Sequence, residues 1–360
     1  MKILLLSAYD AESHRYWWEG LKSELSEHEW TVLTLPARYF SWRIRSNALT
    51  WSLSQQDVFK KHYDLIIATS MTDLSTLRGL SPELSQIPTL VSFHENQFGY
   101  PGSGNEFKSV EPQILNFYTA LAADHVVFNS RYNFNTFFQG LSALLDKMPD
   151  LVPPDVIKIL KQKAEILPVP LSRNAYERGS KSAQHLDIVW NHRWEYDKNP
   201  ALLLNAMGKL NQTGVNFKLH VVGRQFRKIP EEFLQLKETL GDKIGHWGYI
   251  ESRALYQRIL KESDVVLSTA IHDFQGIAVL EGVAAGSIPV VPDRLAYKEL
   301  FAPEYRYSST VDEAENLADH LTEIMNLKKQ GRLDCPDVSN LSWACLADEY
   351  RRVIKAVRTR

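Results

Sequence analysis

The run LDIVWNHRWEYDKNP, residues 186–200, decides how the rest of the chain is read. It opens with LDIVW, a short and mostly apolar stretch of the kind that forms a buried strand. A polar turn follows, carrying Arg193 and Lys198 five positions apart, and Pro200 then stands just inside a segment of helical period. Proline is tolerated there because a first-turn amide has no intrahelical partner. A strand, a charged turn and a helix in that order make the unit from which parallel sheets are built.

Working outward, the same alternation recurs on both sides. Before this run, KILLLS, TVLTLP, DLIIATS, PTLVSFH and HVVFNS read as strands, with helical segments near 12–27, 45–58 and 111–122, and ALLDKMPDLVPP closes a later helix. AEILPVP is a last strand-like piece, and the polar stretch near 171–184 reads as a linker. After the run come FKLHVVG, KIGHWGY, DVVLSTA and SIPVVP. The predicted architecture is α/β with two doubly wound domains, 1–172 and 185–340, joined by 173–184. A terminal helix over 341–358, with Ser342 as a possible cap, is expected to pack back on the first domain.

Composition fits two domains. At 360 residues and 44% hydrophobic the chain can bury two cores. The formal net charge of −2 gives no global basic field, so any nucleic-acid contact has to be a local patch. Cys335 and Cys345 lack zinc spacing and are too few for a disulfide framework, which suits a reducing compartment. KILLLS leads at once into YDAESH and is read as a strand, not a signal core, and no apolar run approaches the ~20 residues of a membrane span. These readings point to a cytoplasmic protein without a membrane span.

Ligands of open parallel sheets bind outside the carboxyl ends of the strands, and five such ends carry unusual residues. In 190–200, Arg193 and Lys198 are placed to converge on a dianionic group such as a pyrophosphate, with Trp190 and Trp194 suggesting walls; the alternative is a solvated turn in which Glu195 and Asp197 pair the cations. In STAIHDFQGIAVLEGVAAGSIPVV, residues 268–291, Asp273 precedes a helix opened by Gly276, and Glu281 lies inside an apolar run where a carboxylate needs a specific partner. Such carboxylates suit sugar hydroxyls, with phosphate at the helix start, and a plain acidic cap is the bland reading. In SFHENQFGYP, residues 92–101, His94, Glu95 and Asn96 end a strand and suit sugar recognition or acid/base work, or simply form a satisfied loop. In 35–52, Arg38, Arg43 and Arg45 interleave with Tyr39, Phe40 and Trp42, the mixture that binds single-stranded RNA, although arginines lying along a half-buried helix look the same. In YDAESH, Ser13 and His14 begin a helix after the first strand. A dinucleotide fingerprint is absent, and no aspartate pair one residue apart is present to hold a metal.

With these sites placed, the chain resembles the GT-B glycosyltransferases, specifically the family-four-like retaining enzymes. Arg193 and Lys198 keep the spacing of that family's G-R-x-x-x-x-K, with Asn191 and His192 where glycine is usual. Asp273 and Glu281 reproduce an acidic pair eight positions apart, with Asp273 in place of the usual glutamate. The strings FHENQ, PAxxxxWRxR, HRWExDKxP and HWGY are similar to the tRNA-queuosine mannosyltransferases, which transfer mannose from GDP-mannose to queuosine in the anticodon of aspartate tRNA. In the first loop Asp10, Ala11 and Glu12 stand where such enzymes are expected to carry a glycine pair.

The resemblance implies two Rossmann-like domains facing across a cleft, the first on the acceptor side and the second holding a nucleotide-sugar donor, with no further cofactor and no metal. It implies that Arg193, Lys198, His94 and Asp273 serve catalysis. Phe274, Gln275, Gly276, Glu281, Gly223 and Tyr249 would join Arg193, Lys198 and Asp273 in binding the donor. Arg38, Trp42, Arg43, Arg45, His14, Glu95, Asn96 and Gln97 would meet tRNA. Losing either cation of the turn is expected to lower turnover more than stability. A glycosyltransferase acting on a lipid, polysaccharide or small molecule, and a non-catalytic scaffold binding RNA or nucleotide, are the other classes the residues admit.

Overall fold

The computed structural model of the chain describes residues 1–100, 109–225 and 229–358; Pro101, at the end of the stretch 92–101, lies outside them. The chain divides into two compact units, Met1–Pro170 with Trp343–Arg360, and Leu171–Ser342.

In the first unit the strands are β1 (Lys2–Asp10), β2 (Glu29–Pro36), β3 (Leu65–Thr69), β4 (Thr89–Phe93), β5 (His125–Phe128) and β6 (Ala164–Ile166). All pairs are parallel, in the order β2-β1-β3-β4-β5-β6. Every residue of LIIAT in β3 and TLVSF in β4 is buried, as a sheet covered on both faces requires. The strand order reverses between β1 and β3, which opens a crevice at their carboxyl ends. The terminal helix Trp343–Arg358 packs on this unit: Trp17 Nε1 donates to the Tyr350 hydroxyl (3.1 Å), which donates to the Pro168 carbonyl (3.0 Å), and Arg351 pairs with Glu27 (2.9 Å).

The second unit contains β7 (Leu186–Trp190), β8 (Phe217–Val222), β9 (Ile244–Gly248), β10 (Val265–Leu267), β11 (Ile288–Pro292) and β12 (Arg306–Tyr307). Its order is β12-β11-β10-β7-β8-β9, again parallel, and the reversal lies between β7 and β10. Leu186, Ile188 and Trp190 face one core with Leu219, Val221, Leu203 and Phe233. LDIVW is therefore an interior strand of this sheet, at its reversal point.

The differences from expectation are local. The stretch read as a linker is packed into the second unit: it contains the short 3-10 helix Arg173–Tyr176, the Tyr176 hydroxyl donates to the Val338 carbonyl (3.0 Å), and the Leu171 amide donates to the Leu341 carbonyl (2.8 Å). The helix expected near 45–58 begins earlier and is broken, running Phe40–Ser54 and then Gln56–Phe59. The two-residue strand β12 and the helix Val156–Gln162 have no counterpart in the sequence reading. Among the described residues no helix is long and apolar enough to cross a membrane.

Candidate active site

The loops leaving β7 and β10 emerge side by side, because those strands are neighbours at the reversal point. They are laced together: the Thr269 hydroxyl donates to the Lys198 carbonyl (2.6 Å) and receives Trp190 Nε1 (3.0 Å), while the Ile271 amide donates to the Asp197 carbonyl (3.0 Å). Asn199 adopts a left-handed conformation and its side chain caps the helix Pro200–Gln212 by accepting the Leu202 amide (3.2 Å). The turn is thus fixed at both ends.

Within it, Lys198 is buried. Its Nζ donates to the His272 carbonyl (2.6 Å) and lies 3.3 Å from Asp197 Oδ2 and 3.7 Å from Asp273 Oδ2. Arg193 is half exposed and rests on Glu195 (2.7 Å) and Asp197 (3.6 Å). The acids of the turn pair both cations, and Lys198 in addition lies beside Asp273. Burial pushes the Glu195 carboxyl up against the opposing pull of Arg193.

Asp273 is fixed by two donors, the Gly276 amide to Oδ1 (3.1 Å) and the Tyr297 hydroxyl to Oδ2 (3.0 Å). Burial alone would raise its carboxyl, but Lys198 and the other neighbours hold it below the usual carboxylate range, so it is ionised. Gly276 has φ 74°, and a Cβ there would meet the Tyr297 ring at 2.8 Å, so glycine is required at this cap of the helix Ile277–Ala284. Glu281, in the second turn, has the partners its apolar setting demanded: the Tyr256 hydroxyl (2.9 Å) and Arg253 (3.5 Å). Asn191 donates in turn to Tyr256 (3.0 Å). Gly223, just past β8, passes so close to the next loop that a Cβ would lie 1.8 Å from the His192 carbonyl oxygen. Tyr249, past β9, is exposed, whereas Phe274 and Gln275 are buried.

Trp190 and Trp194 do not wall the site. Both belong to the hydrophobic core, where Trp194 stacks on Phe233 with centroids 4.1 Å apart. Apolar surface drives such large rings inward wherever the loop allows it. Conversely, Tyr256 and Tyr297 carry much of the site's positioning and were missed, because each is more than twenty residues from the acid it holds. His192 and His272 are buried within this cluster, and burial, reinforced by Lys198, brings each down to about 4, leaving both neutral at pH 7. Among the described residues no group of three or more His, Cys, Asp and Glu side chains is placed to hold a metal ion.

In the first unit, His14 and His94 meet at the ends of β1 and β4, with ring centroids 4.9 Å apart, and Trp17 lies edge-on to His94 at 4.5 Å. Burial, then the neighbouring His14, holds His94 well below the ordinary histidine value. Asp10 accepts from Ser7 (2.9 Å), Trp18 (3.0 Å) and Arg15 (3.0 Å), so the residue standing in the expected glycine position braces the first loop. Asn96 is fully buried: its amide donates to Asn133 (2.7 Å) and Thr136 (2.9 Å) and its carbonyl accepts the Phe98 and Gly99 amides (2.9 Å each), so it shapes the loop. The Gln97 amide donates to Asn116 (2.8 Å), and Glu95 is partly exposed. Arg38 and Trp42 are exposed, Arg43 is half-buried, and Arg45 pairs with Asp73 (2.7 Å).

Comparison with known proteins identifies the family and the fold. A model described as "tRNA-queuosine alpha-mannosyltransferase N-terminal" matches residues 2–171, and one described as "Glycosyl transferases group 1" matches 176–334. The tRNA-queuosine alpha-mannosyltransferase of Drosophila melanogaster is 32% identical over 320 residues, 86% of this chain and 84% of the relative. Among solved structures, sucrose-phosphate synthase from Thermosynechococcus elongatus has a TM-score of 0.70 at 14% identity, covering 99% of this chain and 100% of its own. Anabaena Alr3699/HepE in complex with UDP has a TM-score of 0.66 at 15% identity, covering 99% and 100%. At such identities these two speak for the fold alone, the GT-B architecture. The first-half match and the Drosophila relative go further: the chain is a glycosyltransferase and belongs to the tRNA-queuosine alpha-mannosyltransferase family.

Proposed function

We propose that the protein moves mannose from GDP-mannose onto queuosine at the wobble position of tRNA in the cytoplasm, aspartate tRNA being the acceptor, with the sugar's anomeric configuration retained. One observation supports the donor half of this reading: at the reversal point of the second sheet Arg193 and Lys198 share Asp197, and Lys198 Nζ lies 3.7 Å from Asp273 Oδ2. Family membership supplies the acceptor class.

In this reading the donor diphosphate lies against Arg193 and Lys198. The bond from sugar C1 to the leaving phosphate oxygen breaks, a queuosine hydroxyl oxygen bonds to C1 on the same face, and its proton passes to the departing phosphate. No side chain has to act as nucleophile. The two cations stabilise charge growing on the leaving group, where preorganised electrostatics act most strongly. Asp273, with the amides of Phe274 to Gly276, holds sugar hydroxyls; Glu281 holds the ribose; Gly223 and Tyr249 border the base. From the first unit His94 contributes to sugar positioning, and His14, Glu95 and Gln97 lie on the acceptor side. Arg38, Trp42, Arg43 and Arg45 take the RNA, cations on phosphate and the indole on a base.

Two measurements test it. GDP-mannose raises the thermal midpoint more than GDP, UDP-glucose or UDP-mannose at equal concentration, because only the true donor adds base and sugar contacts together. The anomeric proton of the product, read by NMR, shows the configuration of the donor. A larger shift with a uridine sugar would replace the donor, and an inverted anomer would replace the mechanism.

A further inference from the structure

Three side chains from separate elements form one directed chain of hydrogen bonds. Asn191 follows β7 directly, two residues before Arg193; Tyr256 lies in the helix Arg253–Glu262, and Glu281 in the helix Ile277–Ala284. The Asn191 carboxamide nitrogen donates to the Ala278 carbonyl (2.8 Å) and to the Tyr256 hydroxyl (3.0 Å), and that hydroxyl meets Glu281 Oε2 at 2.9 Å. The backbone settles the direction of every proton. A carbonyl only accepts, so the nitrogen of Asn191, and not its oxygen, faces Ala278. Both hydrogens of that nitrogen are then committed, the Tyr256 oxygen accepts one of them, and the single phenolic proton points at Glu281. The other carboxylate oxygen, Oε1, meets the exposed Arg253 guanidinium at 3.5 Å. Glu281 is thus anchored through Oε2 from within the protein, while Oε1 lies towards the solvent side. A carboxylate offers about four acceptor positions, so these contacts leave room for the hydroxyls of a ligand.

We propose that Tyr256, set by Asn191, is a positioning residue that aims Glu281 at the donor's ribose and makes the site select ribonucleotides over 2′-deoxyribonucleotides, an inference that rests on the reading of Glu281 given above. A ribose presents a 2′,3′-diol whose hydroxyls donate, and an ionised carboxylate only accepts, so the two are matched in kind. A free glutamate side chain would have to be ordered each time the diol bound, at a cost to affinity. The phenol holds the carboxylate in place beforehand. Tyr256 therefore acts through Glu281. Because Asn191 stands two residues before Arg193, one strand end orders both the ribose carboxylate and the turn that carries the cations.

The test is calorimetric titration of the full chain with GDP and with 2′-deoxy-GDP, read as the ratio of the two affinities, which a uniform loss of folded protein leaves unchanged. The parent should favour GDP by roughly 10- to 100-fold, the range for a hydrogen bond to a charged group. In Tyr256→Phe the ratio should fall to about threefold or less, while 2′-deoxy-GDP binds within about threefold of the parent. Glu281→Gln should collapse the ratio in the same way. Adding Tyr256→Phe to it should then change the ratio by less than about twofold, because a residue acting through another has nothing left to act on. If Tyr256→Phe fails to melt cooperatively, Asn191→Ala, which keeps the phenol but frees its proton, carries the same test and should lower the ratio by about threefold or more. A ratio in these variants within roughly twofold of the parent's would overturn the proposal, since a merely structural role weakens both nucleotides alike. If the parent binds GDP without preferring it to 2′-deoxy-GDP, or Glu281→Gln keeps the preference, the ribose reading of Glu281 falls and the proposal with it. If the parent binds neither nucleotide, the donor-site reading itself falls.

Discussion

Arg193 and Lys198 share one turn of the sequence, and the structure separates them. Arg193 is half exposed on Glu195 and Asp197, whereas Lys198 is buried between Asp197 and Asp273. Arg193→Ala should therefore lower turnover on the order of 10²–10³-fold with little change in stability. Lys198→Ala should lower turnover as much and in addition cost about 3–5 kcal/mol, because it leaves carboxylates buried without compensation. Initial rates and urea midpoints on both variants decide this; equal stability losses would contradict the assignment. The two histidines add a pH dependence. His192 and His272 charge only near pH 4 in the folded chain, against an ordinary 6.5, so between these values the unfolded chain binds protons that the native chain does not. Stability is complete above that range and is lost as pH falls towards 4, by up to about 3 kcal/mol for each histidine. The urea midpoint should be lower at pH 5 than at pH 7, and less so in His192→Phe; a higher midpoint at pH 5 would refute the linkage.

At the scale of elements, what the sequence revealed follows from burial. LDIVW, LIIAT and TLVSF are buried throughout, so continuous apolar runs identified them, and the strand-end position of Arg193, Asp273 and His94 followed from counting outward. The helix Phe40–Ser54 was harder, because its pattern is inverted in part. Trp42 and Leu53 face solvent, while Ser46, Asn47 and Ser52 are buried; Asn47 donates to the Arg43 and Ile44 carbonyls and accepts the Asp73 amide (3.0 Å). A buried amide satisfied in this way leaves no trace in a hydrophobic period. The two-residue β12 is too short to give any period, and Tyr256 and Tyr297 reach their acids only through the fold. The exposed indole yields a prediction for the same helix: Trp42→Ala should change stability by less than about 0.5 kcal/mol. It should weaken tRNA binding roughly 5- to 100-fold, the range for one lost base stack. Filter binding at low salt checks this, and unaltered affinity would remove the helix from the RNA surface.

At the scale of the whole molecule, the second unit is an insertion whose ends lie together, Leu171 pairing with Ser342 in an isolated bridge. It has its own six-stranded sheet and its own core. Residues 171–342 expressed alone should unfold in one cooperative transition and retain GDP binding that Arg193→Ala abolishes; a fragment with no cooperative melt would show that its core depends on the rest of the chain. The proposed transfer needs a nucleotide-sugar donor and a queuosine-bearing tRNA together. Its most direct test is to incubate the full chain with GDP-mannose and queuosine-containing tRNA, digest the RNA and weigh the nucleoside. The account predicts a queuosine heavier by one hexose with the parent and on the order of 10²–10³-fold less with Arg193→Ala or Lys198→Ala. Unmodified queuosine with the parent, or undiminished product with both variants, would contradict it.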